Sequence, residues 1–170
     1  KQQYRNGLLL GGNYVWIHNM ESPWPRMIMH PTIPSLDNTP LGDSRFNKAF
    51  HTQNPATGQS ATFANRNLFI AMNQTVSQAG QGFVEYYWPK PRGNGVSSDD
   101  YPKLSYVKSY RPWGWVAKAR GLERHPRGSR QEQSHRALAE QVMTQGMRHS
   151  VRTPGRSEPA VQNAPARFLT

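Results

Sequence analysis

Aromatic and β-branched residues crowd Asn13 to Asn19 (NYVWIHN), a pattern that predicts a strand. Pro23 and Pro25 exclude regular pairing just after it and predict a turn or an extended connection. Arg26 to His30 (RMIMH) predicts a second strand, closed by Pro31 and Pro34, and the short link makes the two a hairpin. Strand alternation would put Arg26, Ile28 and His30 on one face and Met27 and Met29 on the other. Residues 35–66 are polar, with turn signals at Asp37-Asn38, Gly42-Asp43 and Pro55 to Gly58, and read as a long loop with a short helix around Ser44–Phe50. From Asn67 to Gln78, Leu68, Phe69, Met72 and Val76 fall at helical spacing, with Asn65 or Asn67 as N-cap and Gly80 and Gly82 at the end. Phe83 to Trp88 (FVEYYW) predicts a strand stopped by Pro89 and Pro91. After a Gly/Ser/Asp loop, Lys103 to Tyr110 forms another, and Trp113 to Val116 begins the next. A helix set between antiparallel runs points to an α+β domain with a mainly antiparallel sheet.

Composition divides this picture at about residue 116. Of the 18 aromatic residues, 17 come before it, so the front of the chain can bury a core. The last 55 residues lack the apolar surface to offset chain entropy. The net charge of +11 splits as +5 over residues 1–115 and +6 over 116–170, where nine of the ten basic residues are Arg. The excess charge therefore belongs more to a tail than to a basic globular surface. With no cysteine, the chain has no disulfide framework, thiolate metal site or cysteine nucleophile. No run approaches the roughly 20 apolar residues that span a bilayer.

Candidate chemistry concentrates on the predicted strands. Arg26 and His30 share one face, Tyr86, Trp88 and Lys90 another, and Lys103 and Tyr106 lie on the next strand. Converging basic and aromatic side chains suit a small anion: Arg offers a planar fork to a carboxylate, His, Tyr and Lys add donors, and Trp excludes water. The competing reading makes the aromatics core and the cations surface. His18, His30 and His51 show no metal-ligand spacing, and neither a phosphate-binding glycine loop nor a nucleophile elbow is present. No cofactor and no catalytic residue is expected.

Taken together and in order, NYVWIHNM, PRMIMHPTIPSLD, NLFIAMNQTVSQAGQGFVEYYWPKP and YPKLSYVKSYRPWGWV resemble the single-Cache sensor domains of bacterial chemotaxis receptors and sensor histidine kinases. The resemblance covers about residues 13–116. It implies a PAS-like α+β domain with a long N-terminal helix and a five- or six-stranded antiparallel sheet, lying on the periplasmic side of the inner membrane. It also implies a short organic acid as ligand, a homodimer in the intact receptor, and a membrane anchor and cytoplasmic signalling module that this chain lacks. Position by position, the family's PRMxMHP strand implies Arg26 and His30 as ligand contacts. Its YxWPKP strand implies Tyr86, Trp88 and Lys90, and its PKLSYVK strand implies Lys103 and Tyr106. Replacing Arg26 by Ala should then abolish binding.

The chain reads as incomplete at both ends: residues 1–116 form the sensor domain without its N-terminal helix, and residues 117–170 depart from the family's pattern. That Arg-rich stretch fits a shifted reading frame or a disordered basic tail, with a short amphipathic helix at Leu138–Met147 in either case. Loss of the last strand would leave an open edge and low stability. The rival function is a basic protein touching nucleic acid or an acidic surface through its tail. The leading reading expects no nucleic-acid partner.

Overall fold

The computed structural model describes residues 9–10, 13–92 and 95–120. The expectations about residues 121–170, including the helix at Leu138–Met147, lie outside the described residues. Eight antiparallel strands form one sheet: β1 (Leu9–Leu10), β2 (Asn13–Asn19), β3 (Met27–Met29), β4 (Asn47–Gln53), β5 (Ser60–Asn67), β6 (Gln81–Arg92), β7 (Gly95–Tyr110) and β8 (Trp115–Arg120). Their order is β1-β2-β8-β7-β6-β4-β5, with β3 also paired to β2. β8 is central. It pairs with β2 from Val15↔Ala119 to Asn19↔Trp115, and with β7 from Ser105↔Arg120 to Tyr110↔Trp115. The sheet thus runs four residues past the boundary read from composition, and it has more strands than the resemblance implied.

The helix α1 (Leu68–Ala79) buries Leu68, Phe69, Ala71, Met72, Thr75 and Val76 against one face of the sheet. Asn67 starts it by accepting hydrogen bonds from the amides of Phe69 and Ile70, and its own side-chain amide donates to Leu41 O at 2.8 Å. Gly80 ends it in the left-handed region at φ 74°, its amide donating to Val76 O. Gly82 is required for packing rather than conformation, because a Cβ there would lie 2.3 Å from the Thr75 methyl.

The main core gathers Tyr14 and Trp16 of β2, Val84, Tyr86 and Trp88 of β6, Val107 of β7 and Val116 of β8 beneath α1 and Phe46. A second cluster on the opposite face holds Val15, Phe83, Tyr106, Ala117 and Ala119. Strict alternation fails at β3: Met27 joins the main core, whereas Met29 packs on the second cluster. The cause is a register shift where β3 pairs with Ile17 and His18. Residues 35–66 are also more ordered than their polarity suggests. They hold β4, β5 and a 3-10 turn at Ser44–Phe46 in place of the expected short helix.

Candidate functional site

Period-two alternation sends Tyr14, Trp16 and His18 of β2 to the helix-covered face, along with Val116 and Lys118 of β8. Trp16 and Lys118 are direct cross-strand partners. Across β7 and β6 the same face presents Lys103, Ser105, Tyr86 and Trp88. His30, at the end of β3, closes the group: its ring stacks 5.1 Å from Trp16 and lies 5.4 Å from Tyr14 and 6.0 Å from Trp88. Tyr14, Trp16, His30 and Trp88 form an aromatic cage, and Lys118 Nζ lies against two of its walls, 4.2 Å from the Trp16 ring centroid and 4.3 Å from that of Tyr14. Ammonium-on-ring contacts of this kind contribute about 2 kcal/mol when desolvated.

The polar groups of the cage are mostly donors. The backbone amide of Ile33 donates to His30 Nδ1 at 3.0 Å, so the neutral ring carries its hydrogen on Nε2. The indole N–H groups of Trp16 and Trp88 are buried and meet no acceptor among the described residues. An orphaned buried donor forfeits about 1–3 kcal/mol, so two in one cage call for an acceptor. Lys103 Nζ, 5.8 Å from the Tyr14 ring, donates to Pro89 O at 2.7 Å, and the Tyr86 hydroxyl shares a hydrogen bond with Ser105 at 2.9 Å. Among the described residues the buried set contains two lysines and no Asp or Glu. Asp37 approaches from the loop after β3, accepting from the backbone amide of His30.

His18 is a separate buried group on the same face. Its Nε2 donates to Asn73 Oδ1 at 3.1 Å, because the Asn73 amide nitrogen is turned to Asn19 O. Burial pushes its pKa down to about 3, against a smaller upward pull from Asn73. It is a neutral strut between β2 and α1.

Of the residues singled out from sequence, His30, Tyr86, Trp88 and Lys103 come together on the cage face. Three do not. The Arg26 side chain is 38% exposed, pairs with Glu21 at 3.6 Å and donates to Asn38 O at 2.7 Å, so it points away from His30. Tyr106 lies on the opposite face of the sheet, against Phe83, with its hydroxyl donating to Gln81. Lys90 lies over the Tyr101 ring at 4.2 Å, farther out on the β6–β7 hairpin. A cleft of about 250 Å³ lined by Thr52, Gln53, Asn54, Gln59 and neighbouring polar residues lies elsewhere, beside the end of α1. The described residues contain no cluster of His, Asp and Glu able to hold a metal ion.

A family model described as Cache domain matches residues 6–117, about two-thirds of the chain. The chain belongs to the Cache domain family. This Cache domain is 32% identical over 104 residues to the methyl-accepting chemotaxis protein McpP of Pseudomonas putida, a match covering 61% of this chain and 15% of that protein. It is also similar to two solved structures. One, described as the periplasmic sensor domain of a chemotaxis protein, is 36% identical, with a TM-score of 0.49 and coverage of 69% of this chain and 67% of the other. The second, described in terms of carboxylic acid recognition by a Cache chemosensory domain, is 27% identical, with a TM-score of 0.46 and coverage of 72% and 71%.

Within the Cache domain, the cage residues that sequence reasoning missed are Tyr14, Trp16 and Lys118. Tyr14 and Trp16 were legible as strand residues without a role. Lys118 had a signal: in WVAKAR, alternation places it on the face of Val116. The compositional boundary after Val116 had assigned it to the tail.

Proposed function

We propose that this Cache domain is an extracytoplasmic sensory module that binds a small carboxylate in the aromatic cage, serving the transmembrane signalling of a chemotaxis receptor or sensor kinase. The observation that carries the reading is the pair of buried indole N–H groups, Trp16 and Trp88, that meet no acceptor among the described residues, in a cage that also holds Lys118 and His30. Such a set accepts an anion, and a carboxylate, with two oxygens and about four acceptor sites, matches several donors at once. Membership of the Cache family and similarity to a chemotaxis receptor support the sensory role.

Thermal shift and calorimetric titration against acetate, propionate, lactate and pyruvate test the proposal. At least one acid should raise the melting temperature, since binding to the folded state alone stabilises it. Trp88→Phe, which removes the indole donor and keeps a smaller aromatic ring, should weaken that acid at least several-fold. A folded protein that responds to none of the four acids would overturn the carboxylate assignment.

A further inference from the structure

The two indoles that carry the ligand reading share a neighbour on α1. Trp16 and Trp88 lie 5.3 Å apart between ring centroids, and Phe69 completes a triangle with them, 5.8 Å from Trp16 and 6.3 Å from Trp88. The Phe69 and Trp88 planes stand at 87°. Phe46 meets the same pair, near-parallel to Trp88 at 22° and at 81° to Phe69. Aromatic rings at these spacings prefer particular relative orientations, because each has a negative face and a positive edge. A ring that touches both indoles therefore constrains both planes at once. Each indole N–H lies in the plane of its ring, so the direction of both donors is set with them.

Phe69 is itself firmly placed. It is the single aromatic residue of α1, and it is fully buried. Its backbone amide donates to Asn67 Oδ1 at 3.0 Å, and the side-chain amide of Asn67 donates to Leu41 O. One turn later, on the same side of the helix, Asn73 ties α1 to β2 at His18 and at Asn19 O. The His18 ring meets Phe69 at 72° and 5.3 Å. The helix start is thus pinned on both sides of this one ring. Phe69 has no donor to offer an anion, so what it gives the cage is orientation.

We propose that Phe69 is the positioning residue of the cage, holding the Trp16 and Trp88 planes so that both N–H groups aim at one acid, an inference that rests on the ligand reading above. Without its ring the cage keeps every donor and loses their convergence.

The test compares two core variants of α1 in the full chain. Phe69→Leu fills the site without a ring, and Val76→Ala thins the same core two turns farther along the helix. Two properties are measured: the indole N–H resonances of Trp16 and Trp88 without ligand, and acetate affinity by calorimetry. Both variants should lower the melting temperature. Phe69→Leu should also move both indole resonances and weaken acetate about tenfold, the worth of one aromatic pair. Val76→Ala should leave the resonances in place and the affinity within about twofold, since distant sites act independently. Phe69→Met supplies the same comparison if Phe69→Leu does not fold. Indole resonances that ignore the loss of the ring, or an acetate affinity no weaker than that of Val76→Ala, would overturn the proposal and assign Phe69 to the core alone. Failure of acetate to bind any form would count against the ligand reading, since the resonances still decide whether Phe69 sets the indoles.

Discussion

Lys118 shows most directly how single residues divide between stability and function in this domain. A buried ammonium costs several kcal/mol in desolvation, so its replacement by an apolar residue of similar length is neutral or stabilising. Lys118→Met should therefore keep or raise the melting temperature while lowering carboxylate affinity about 10- to 100-fold, the worth of one charge-assisted hydrogen bond. Calorimetric titration beside a thermal melt checks both halves, and a variant that loses stability but keeps affinity would assign Lys118 to the core. Arg26→Ala makes the opposite case: with its guanidinium on Glu21 and the Asn38 carbonyl, the variant should bind within about twofold of the native chain and lose at most about 1 kcal/mol. That outcome would reverse the role the motif resemblance gave Arg26. His18 sets the acid limit. Its folded pKa of about 3 lies below the ordinary 6.5, so the unfolded chain binds the proton first as pH falls through 6.5. Stability then declines, by roughly 2–3 kcal/mol between pH 7 and 4.5 from this group. Urea melts across that range should show the slope, and His18→Gln should flatten it.

At the scale of elements, the helix and the apolar strands were legible because their side chains carry the pattern. NYVWIHN coincides with β2, and α1 begins one residue after its Asn67 cap. Asn67 does more than cap, since it also joins the helix start to Leu41. Asn67→Ala should therefore cost more than an ordinary cap, about 2–3 kcal/mol, read from chemical denaturation. β4 and β5 are illegible because they are the last two strands at one end of the sheet, mostly half-buried or exposed, and NKAFHTQ and SATFANRN offer little apolar periodicity. β6 was cut short for a different reason. Pro89 and Pro91 read as terminators, yet among the described residues β6 pairs beyond Tyr86 with β7 alone, and proline is tolerated where one side of a strand makes no ladder. The prolines thus follow the point where β6 leaves β4.

For the molecule as a whole, the two halves of the cage are distant in sequence and are brought side by side by β8, which pairs with both β2 and β7. Tyr14, Trp16 and His30 come from the first 30 residues, and Tyr86, Trp88 and Lys103 from the β6–β7 hairpin. Motifs supplied the second set and His30. They could not supply the register that brings Lys118 opposite Trp16, because alternation locates a face but not a neighbour. β8 is also what keeps the sheet single: it is paired along Trp115 to Arg120 with β7 and along Trp115 to Ala119 with β2, and it buries Val116, Ala117, Lys118 and Ala119. A chain ended after Val116, at the boundary that composition suggested, would keep β2 and β7 but lose most of the strand between them. The orphaned backbone groups and opened core should exceed the 5–15 kcal/mol margin of an ordinary domain. Such a chain should show no cooperative thermal transition by circular dichroism, whereas the full chain should melt in one step. A sharp melt from the shortened chain would mean that β2 can dock on β7 without β8, and the cage would then have to be rebuilt without Lys118.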